Sequence, residues 1–225
     1  MTTRLAVIPA RGGSTRLKDK NIHPLKGKPL IAHTIETVIQ SYQFDTVIVS
    51  TDSEKIKDIA SGYDVEIYDR PAEYATERAT VLDALMAMMQ DVERHDIFSY
   101  FLPTCPFRLL DDIYDGINLL DNYDSVISVS EYSEPIQLAM VKSKNTVVPV
   151  FDNLTAGLTN SKFIQKYYKP NGSFYMSNWD HIEKYKNFFV GNIGCVEVPK
   201  SRHVDIDTIE DIHVAEAMLA NEIPF

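Results

Sequence analysis

Two groups of residues have the types and spacing to do chemistry, and they lie at opposite ends of the chain. Near the start, the apolar run Leu5–Ile8 breaks into Pro9-Ala10-Arg11-Gly12-Gly13-Ser14. Residues 11–28 then carry six cations (Arg11, Arg16, Lys18, Lys20, Lys26, Lys28) against one acid, Asp19. Near the end, Asp205 and Asp207 bracket Ile206. Positive charge gathered on one loop of a chain with net charge −10 points to an anion site there, not to general nucleic-acid affinity. Gly12 and Gly13 lack a Cβ, so the backbone is free to take positive φ and bring successive N–H groups close to a ligand. With Arg11 and Lys20 beside them, such donors suit a polyphosphate.

The alternative is a tight Gly-Gly turn among solvated cations. Placement favours the phosphate site, because the loop follows the first predicted strand and precedes a helix, where doubly wound folds bind ligands. The motif is neither a Gly-x-Gly-x-x-Gly loop nor a Walker loop, since Gly27-Lys28-Pro29 is not Gly-Lys-Ser/Thr. Asp205 and Asp207, alternating along a predicted strand, share one face and repel each other unless a cation or donors lie between them. One or two carboxylates plus substrate phosphates is how Mg²⁺ is usually held. The competing reading has one aspartate capping the last helix and the other solvated. Asp211, three residues after Thr208, is assigned to a capping box.

Other residues carry two readings each. Asp52 ends a strand at the edge of the basic loop and is either a ligand or a helix-start charge. Arg70 either reaches a nucleotide or is a surface loop residue. Arg108 is free to pair with Asp111 or Asp112, and Cys105, between Pro103 and Pro106 without a base nearby, reads as a turn residue and not a nucleophile. Of six histidines only His203, beside Asp205, invites attention.

The elements that must position these groups follow from the hydrophobic pattern. Strands are predicted at Leu5–Pro9, Thr46–Ser50, Val65–Tyr68, Ile97–Leu102 and Ser125–Val129. Helices are predicted from Pro29 to about Gln43, Ser53 to Ala60, Val81 to Arg94 and Leu110 to Leu120. The alternation implies a mostly parallel sheet wrapped by helices. Residues 131–170 break the rhythm, with an antiparallel pair predicted at Ile136–Val141 and Thr146–Phe151, and read as an excursion from the sheet. Strand returns at Ser173–Ser177, followed by a helix at Asn178–Tyr185 and strand at Phe188–Val198. A last strand at Val204–Asp207 leads into a helix at Ile209–Leu219.

A length of 225 residues suits one large domain or a domain with an appendage. Two cysteines are too few for a disulfide framework or a zinc site. No apolar run reaches the roughly eighteen residues of a membrane span, and Met-Thr-Thr-Arg leads straight into strand without a signal peptide. These features imply a cytoplasmic protein with neither membrane nor nucleic-acid partners.

Taken in order, Ile8-Pro9-Ala10-Arg11-Gly12-Gly13-Ser14, Lys20-Asn21, Ile48-Val49-Ser50-Thr51-Asp52, Arg70-Pro71-Ala72-Glu73, Pro103-Thr104-Cys105-Pro106-Phe107-Arg108, Asn171-Gly172 and Asp205-Ile206-Asp207-Thr208 resemble the acylneuraminate cytidylyltransferases, also called CMP-sialic acid synthetases. The resemblance implies an α/β, three-layer, glycosyltransferase-A-like nucleotidyltransferase fold, in one domain over 1–225. It implies transfer of CMP from CTP to the anomeric hydroxyl of a 2-keto-3-deoxy sugar acid, with loss of pyrophosphate. It also implies Mg²⁺ and a homodimer in which the 131–170 excursion reaches the partner. Carried over, Ala10, Arg11, Gly12, Gly13, Ser14, Lys20 and Asn21 bind the phosphates, Arg70 and Ala79 the nucleotide, and Asp205 and Asp207 the metal. Arg11, Lys20 and Asp207 are the catalytic set.

The sugar end departs from the sialic-acid pattern. Leu102 replaces a glutamine, Gln137 stands where a lysine is common, and Ser161-Lys162 replaces an Arg-Gln pair. Phe174-Tyr175-Met176 replaces Ala-Ile-Tyr-Ile. Pro135-Ile136-Gln137 and Gly172-x-Phe174-Tyr175 are more similar to the pseudaminic acid cytidylyltransferase branch. The implied acceptor contacts are Leu102, Gln137, Lys169, Asn171, Phe174 and Tyr175, with Lys162 and Lys166 as further nearby cations. One of Phe174 and Tyr175 supplies a flat apolar wall. Rival readings are a nucleotidyltransferase for a sugar phosphate or a phosphonate, and an inactive nucleotide-binding module.

Overall fold

The computed structural model describes residues 2–220, and of Ser161 only the backbone. The strands are β1 Arg4–Pro9, β2 Pro24–Leu25, β3 Lys28–Pro29, β4 Thr46–Thr51, β5 Glu66–Asp69, β6 Ile97–Tyr100, β7 Ser125–Glu131, β8 Met140–Ser143, β9 Thr146–Pro149, β10 Tyr168–Asn178 and β11 Ile193–Glu197. The helices are α1 Leu30–Gln40, α2 Glu54–Ala60, α3 Val81–Met88, α4 Leu110–Leu119, α5 Trp179–Tyr185 and α6 Ile209–Ala220. Seven strands form one sheet in the order β11-β7-β10-β6-β1-β4-β5. Only β10 runs antiparallel to its neighbours, and the remaining pairs are parallel.

Period-2 alternation in the strands divides the core between two faces. On one face Ala6, Ile8, Val49, Phe174 and Met176 meet Ile31 and Ile35 of α1, Ile56 of α2 and Ile113 of α4. On the other, Leu5, Val7, Ile48 and Phe98 meet Leu85 and Met88 of α3 and Trp179 and Ile182 of α5. This is the expected three-layer α/β arrangement. The α3 methionines fill core gaps, Met88 being fully buried. A third cluster joins Ile206 and Ile212 to Leu25, Leu30 and Phe107, seating α6 against the end of the sheet where the basic loop emerges.

Several boundaries differ from the pattern read in the sequence. Residues 204–207 are not a strand; the Ile206 N–H donates to Thr104 O at 2.9 Å. The alternation survives, since Ile206 is fully buried between two accessible aspartates. Residues 136–138 form a 3-10 turn and the antiparallel pair shrinks to β8–β9. Strand β10 starts at Tyr168, inside the expected excursion, and pairs with β7. Its register shifts between Pro170 and Tyr175, where Gly172 takes φ +80°. α3 ends at Met88, and Phe188–Asn192 is not strand.

Candidate active site

The carboxyl end of β1 with the basic loop, the segments after β5 and β6, and Asp205 and Asp207 enclose a cleft of about 350 Å³. Arg11, Ser14, Lys20, Asn21, Arg70 and Ala79 line one side, and Leu102, Asp205 and Asp207 the other. Residues more than 180 positions apart in sequence thus share one cavity.

The basic loop is built differently from a positive-φ glycine turn. Neither Gly12 nor Gly13 has positive φ. Gly12 is required by proximity, since a Cβ there would sit 2.9 Å from Ser53 Cβ, whereas a Cβ on Gly13 meets nothing. The Gly12 N–H donates to Asp52 Oδ1 at 2.8 Å, so that donor is engaged within the protein. Asp52 therefore positions the loop, a role neither sequence reading gave it. Ala10 is buried, its N–H bonded to Ser50 O, and neither it nor the two glycines line the cleft. Arg11 reaches across to Thr76 O at 2.6 Å, and Asn21 Nδ2 donates to Arg11 O at 3.0 Å. Arg70 is buried, held by Ser50 O at 2.8 Å. Burial lowers its pKa, the nearby Asp52 charge works against that shift, and Arg11 adds to it.

Opposite, Asp207 Oδ1 accepts from Lys20 Nζ at 2.7 Å and Oδ2 lies 2.9 Å from Arg16 Nη1. Asp211 caps α6 as expected and does more: its Oδ2 accepts from the N–H groups of both Thr208 and Asp207. Burial raises its pKa, and these accepted bonds outweigh burial to lower it. Asp205 carries neither hydrogen bond nor ion pair among the described residues. No group of three or more His, Cys, Asp or Glu side chains gathers among them either. A cage made wholly of protein ligands for a metal does not fit. Two carboxylates facing a phosphate site do fit Mg²⁺, which keeps water and phosphate in its shell.

The acceptor residues named from the sequence do not converge on the cleft as a set. Only Leu102 lines it. Phe174 is fully buried between Phe101 and Gly116, so it offers no wall to a ligand, and the expectation is corrected to Tyr175, which projects to the other face. Asn171 fills the β10 irregularity, where Oδ1 accepts from Ser128 Oγ at 2.6 Å and Nδ2 donates to Ser130 Oγ at 3.0 Å. Its amide is committed to the core. Gln137 is buried with Nε2 on Gln165 O. Lys169 leans over the Tyr132 ring, and the side chain of Ser161 lies outside the described residues. Burial lowers the His203 pKa, Lys169 adds to that, and Asp205 opposes it.

The remaining candidates are structural. Cys105 is buried, its thiol donating to Asn171 O at 3.1 Å and pushed up to about 12 by burial and then by Asp205, an environment that suits a turn residue. Arg108 pairs with neither Asp111 nor Asp112. It is buried against the carbonyls of Ser173 and Leu102, while Arg202 holds Asp112 through both oxygens and anchors the approach to residue 203. Sequence reasoning missed Arg16, which charge alone does not separate from Lys18 or Lys26. Phe189, about half exposed, lies with its ring 6.2 Å from that of Tyr175.

A parallel sheet with one reversed strand, its cationic β1 loop facing a pair of carboxylates, is the arrangement of an α/β nucleotidyltransferase fold. The Cytidylyltransferase family model matches residues 5–135, and the chain belongs to that family. It is 34% identical over 217 residues to the N-acylneuraminate cytidylyltransferase of Escherichia coli O18:K1:H7, covering 95% of this chain and 51% of that protein. It is 33% identical over 225 residues to the CMP-N,N'-diacetyllegionaminic acid synthase of Legionella pneumophila, covering 96% and 95%. The chain thus spans about half the length of the E. coli relative and nearly all of the Legionella one. A solved CMP:2-keto-3-deoxy-manno-octonic acid synthetase complexed with CTP superposes with TM-score 0.72 at 20% identity, covering 99% of this chain and 100% of that one. This likeness is one of fold.

Proposed function

We propose that the chain transfers CMP from CTP to the anomeric hydroxyl of a nonulosonic acid, releasing pyrophosphate. The observation that carries this reading is one cleft in which Arg11 and Lys20 face Asp205 and Asp207. The sugar oxygen attacks the α-phosphorus, the bond to the pyrophosphate oxygen breaks, and the hydroxyl proton leaves toward the carboxylates. Ser14, Arg11 and Lys20 hold the triphosphate, with Asn21 bracing Arg11, and Arg70 and Ala79 border the nucleoside. Lys20 and Arg11 spread the charge that grows on the departing pyrophosphate and align the reacting atoms in line. Mg²⁺ held by Asp205, Asp207 and phosphate would supply further charge stabilisation at the α-phosphorus. Tyr175 and Phe189 offer an N-acyl group its apolar wall, and Lys169 is the cation available to the acid's carboxylate.

The test is pyrophosphate release with CTP and Mg²⁺ against a panel of acceptors. N-acetylneuraminic, diacetyllegionaminic and pseudaminic acids stand beside a sugar phosphate and a phosphonate. At least one nonulosonic acid should react, and silence with all three overturns the assignment.

The 131–170 arm is proposed as the dimer contact of a single catalytic domain. It exposes Met140, Val141, Val147, Val148, Leu158 and Phe163, the last at 86%, apolar side chains that a partner would cover. Sedimentation showing only monomer at micromolar concentration would remove this proposal. No helix among the described residues is long and apolar enough to cross a membrane. Cytoplasmic residence, where CTP is made, is part of the proposal, and fractionation of cells with the membranes contradicts it.

A further inference from the structure

Two of the six cations in residues 11–28 grip the same carboxylate. Lys20 Nζ lies 2.7 Å from Asp207 Oδ1 and Arg16 Nη1 lies 2.9 Å from Asp207 Oδ2, so each oxygen has its own cation. Asp205, two residues away, has none among the described residues. The carboxylate cannot retreat from this arrangement. Asp211 holds the Asp207 N–H, Ile206 is buried, and its N–H is bound to Thr104 O. Lys20 is equally fixed, following Asp19 in the left-handed conformation and preceding buried Asn21. Arg16 is different, with its side chain 66% exposed and free to swing.

A divalent cation approaching Asp207 meets two positive charges and oxygens already engaged, which disfavours its binding at short range. A triphosphate entering the same cleft offers both cations stronger, multiply charged acceptors. We infer that Arg16 and Lys20 are placeholders on Asp207: the triphosphate draws them off and thereby releases the carboxylate to a divalent cation. Arg16, one of the loop's six cations but outside the segments that carry the family resemblance, is then a nucleotide-positioning residue that couples polyphosphate binding to metal binding. This deepens the cytidylyltransferase reading and rests on it for the identity of the anion. Because such coupling is reciprocal, whatever removes the two cations from Asp207 should strengthen metal binding without any nucleotide.

Mn²⁺ binding to the nucleotide-free full chain, read by electron paramagnetic resonance, tests this directly. The wild type should bind weakly, and the Arg16→Met/Lys20→Met double variant about tenfold more tightly or better, with Arg16→Met alone in between. Adding Asp207→Asn to the double variant should remove the gain. Equal Mn²⁺ affinity in wild type and double variant overturns the inference. If the double variant does not fold, Arg16→Met decides, since its exposed side chain makes few packing contacts; an affinity equal to wild type is then the refuting result. CTP titration in EDTA separates the two claims. Arg16→Met should weaken CTP severalfold, and an unchanged affinity refutes its nucleotide role. A wild type that binds no CTP in EDTA refutes the nucleotide half of this inference, the pyrophosphate assay with Mg²⁺ decides the cytidylyltransferase reading, and the Mn²⁺ comparison decides the placeholder half.

Discussion

The end of the cleft proposed for the nucleotide and the region proposed for the acceptor are built on opposite principles. At the nucleotide end, Arg11, Ser14, Lys20 and Asn21 come from one short loop, and even Arg70 sits directly after β5. At the acceptor end, the residues flanking the irregular β10 turn inward. Phe174 and Asn171 are buried, and Gln137 is held by the arm's own backbone. A loop fixed by neighbouring strand ends delivers its side chains wherever the sheet puts its carboxyl edge. A bulged strand delivers side chains according to a register that only the fold decides.

The sharpest attack on this contrast goes through the residue that joins both ends. Asp207→Asn should lower turnover by roughly a hundredfold or more, on the scale of removing one transition-state electrostatic group. CTP affinity should stay close to wild type or rise, because Lys20 and Arg16 lose their competing partner. Steady-state rates together with CTP titration read both. Near-normal turnover would mean that the aspartate pair only caps and solvates.

The second comparison lies within the acceptor end. Asn171→Ala leaves the Ser128 and Ser130 hydroxyls and the Ser173 N–H short of a partner in the core, so it should cost about 1–3 kcal/mol of stability. The acceptor KM of the surviving folded protein should barely move. Phe189→Ala should do the reverse, raising the acceptor KM about tenfold with stability and the CTP KM unchanged, as expected for an exposed apolar contact with substrate. Denaturant melts and acceptor kinetics on the two variants decide the matter. If Asn171→Ala raises the acceptor KM and leaves the melt untouched, its amide belongs to the substrate and the inward reading fails.

Legibility followed the same line. The parallel sheet, the excursion, the capping by Asp211 and the cationic loop could be read because each depends on near neighbours: hydrophobic period, a turn, a cap, local charge. The Asp205–Asp207 pair was legible as a face although its chain is not a strand, since burying Ile206 alone imposes the alternation. What could not be read depends on contacts between distant segments. Asp52 holds Gly12 across 40 positions, Arg202 takes Asp112 from Arg108 across 90, and the start of β10 is set by β7. Phe174 and Tyr175 were correctly placed on opposite faces, but which of them is fully buried depends on α4, whose Gly116 leaves room for Phe174.

The smallest expected effect concerns pH and bears on the nucleotide end alone. His33 of α1 donates from Nε2 to Leu25 O at 3.1 Å, under the shoulder of the basic loop. Burial lowers its pKa below the ordinary 6.5, the bond to Leu25 O opposes that shift, and the neighbouring Lys28 charge adds to it. The sign follows from linkage. As pH falls through about 6.5 the unfolded chain takes up this proton before the folded one, so stability declines with acidity and levels off only below the folded pKa. His33→Gln keeps a donor for Leu25 O and has nothing to titrate. Its melting temperature should therefore fall less than the wild type's between pH 7 and 5, by on the order of a degree or two. The Asp52–Gly12 contact lies elsewhere in the loop and should be untouched, so CTP affinity at pH 7 should match wild type. Parallel melts of the two proteins at pH 7, 6 and 5 check the difference. A steeper acid loss in His33→Gln than in wild type would show that the histidine charges favourably in the folded state, reversing the sign argued from its burial.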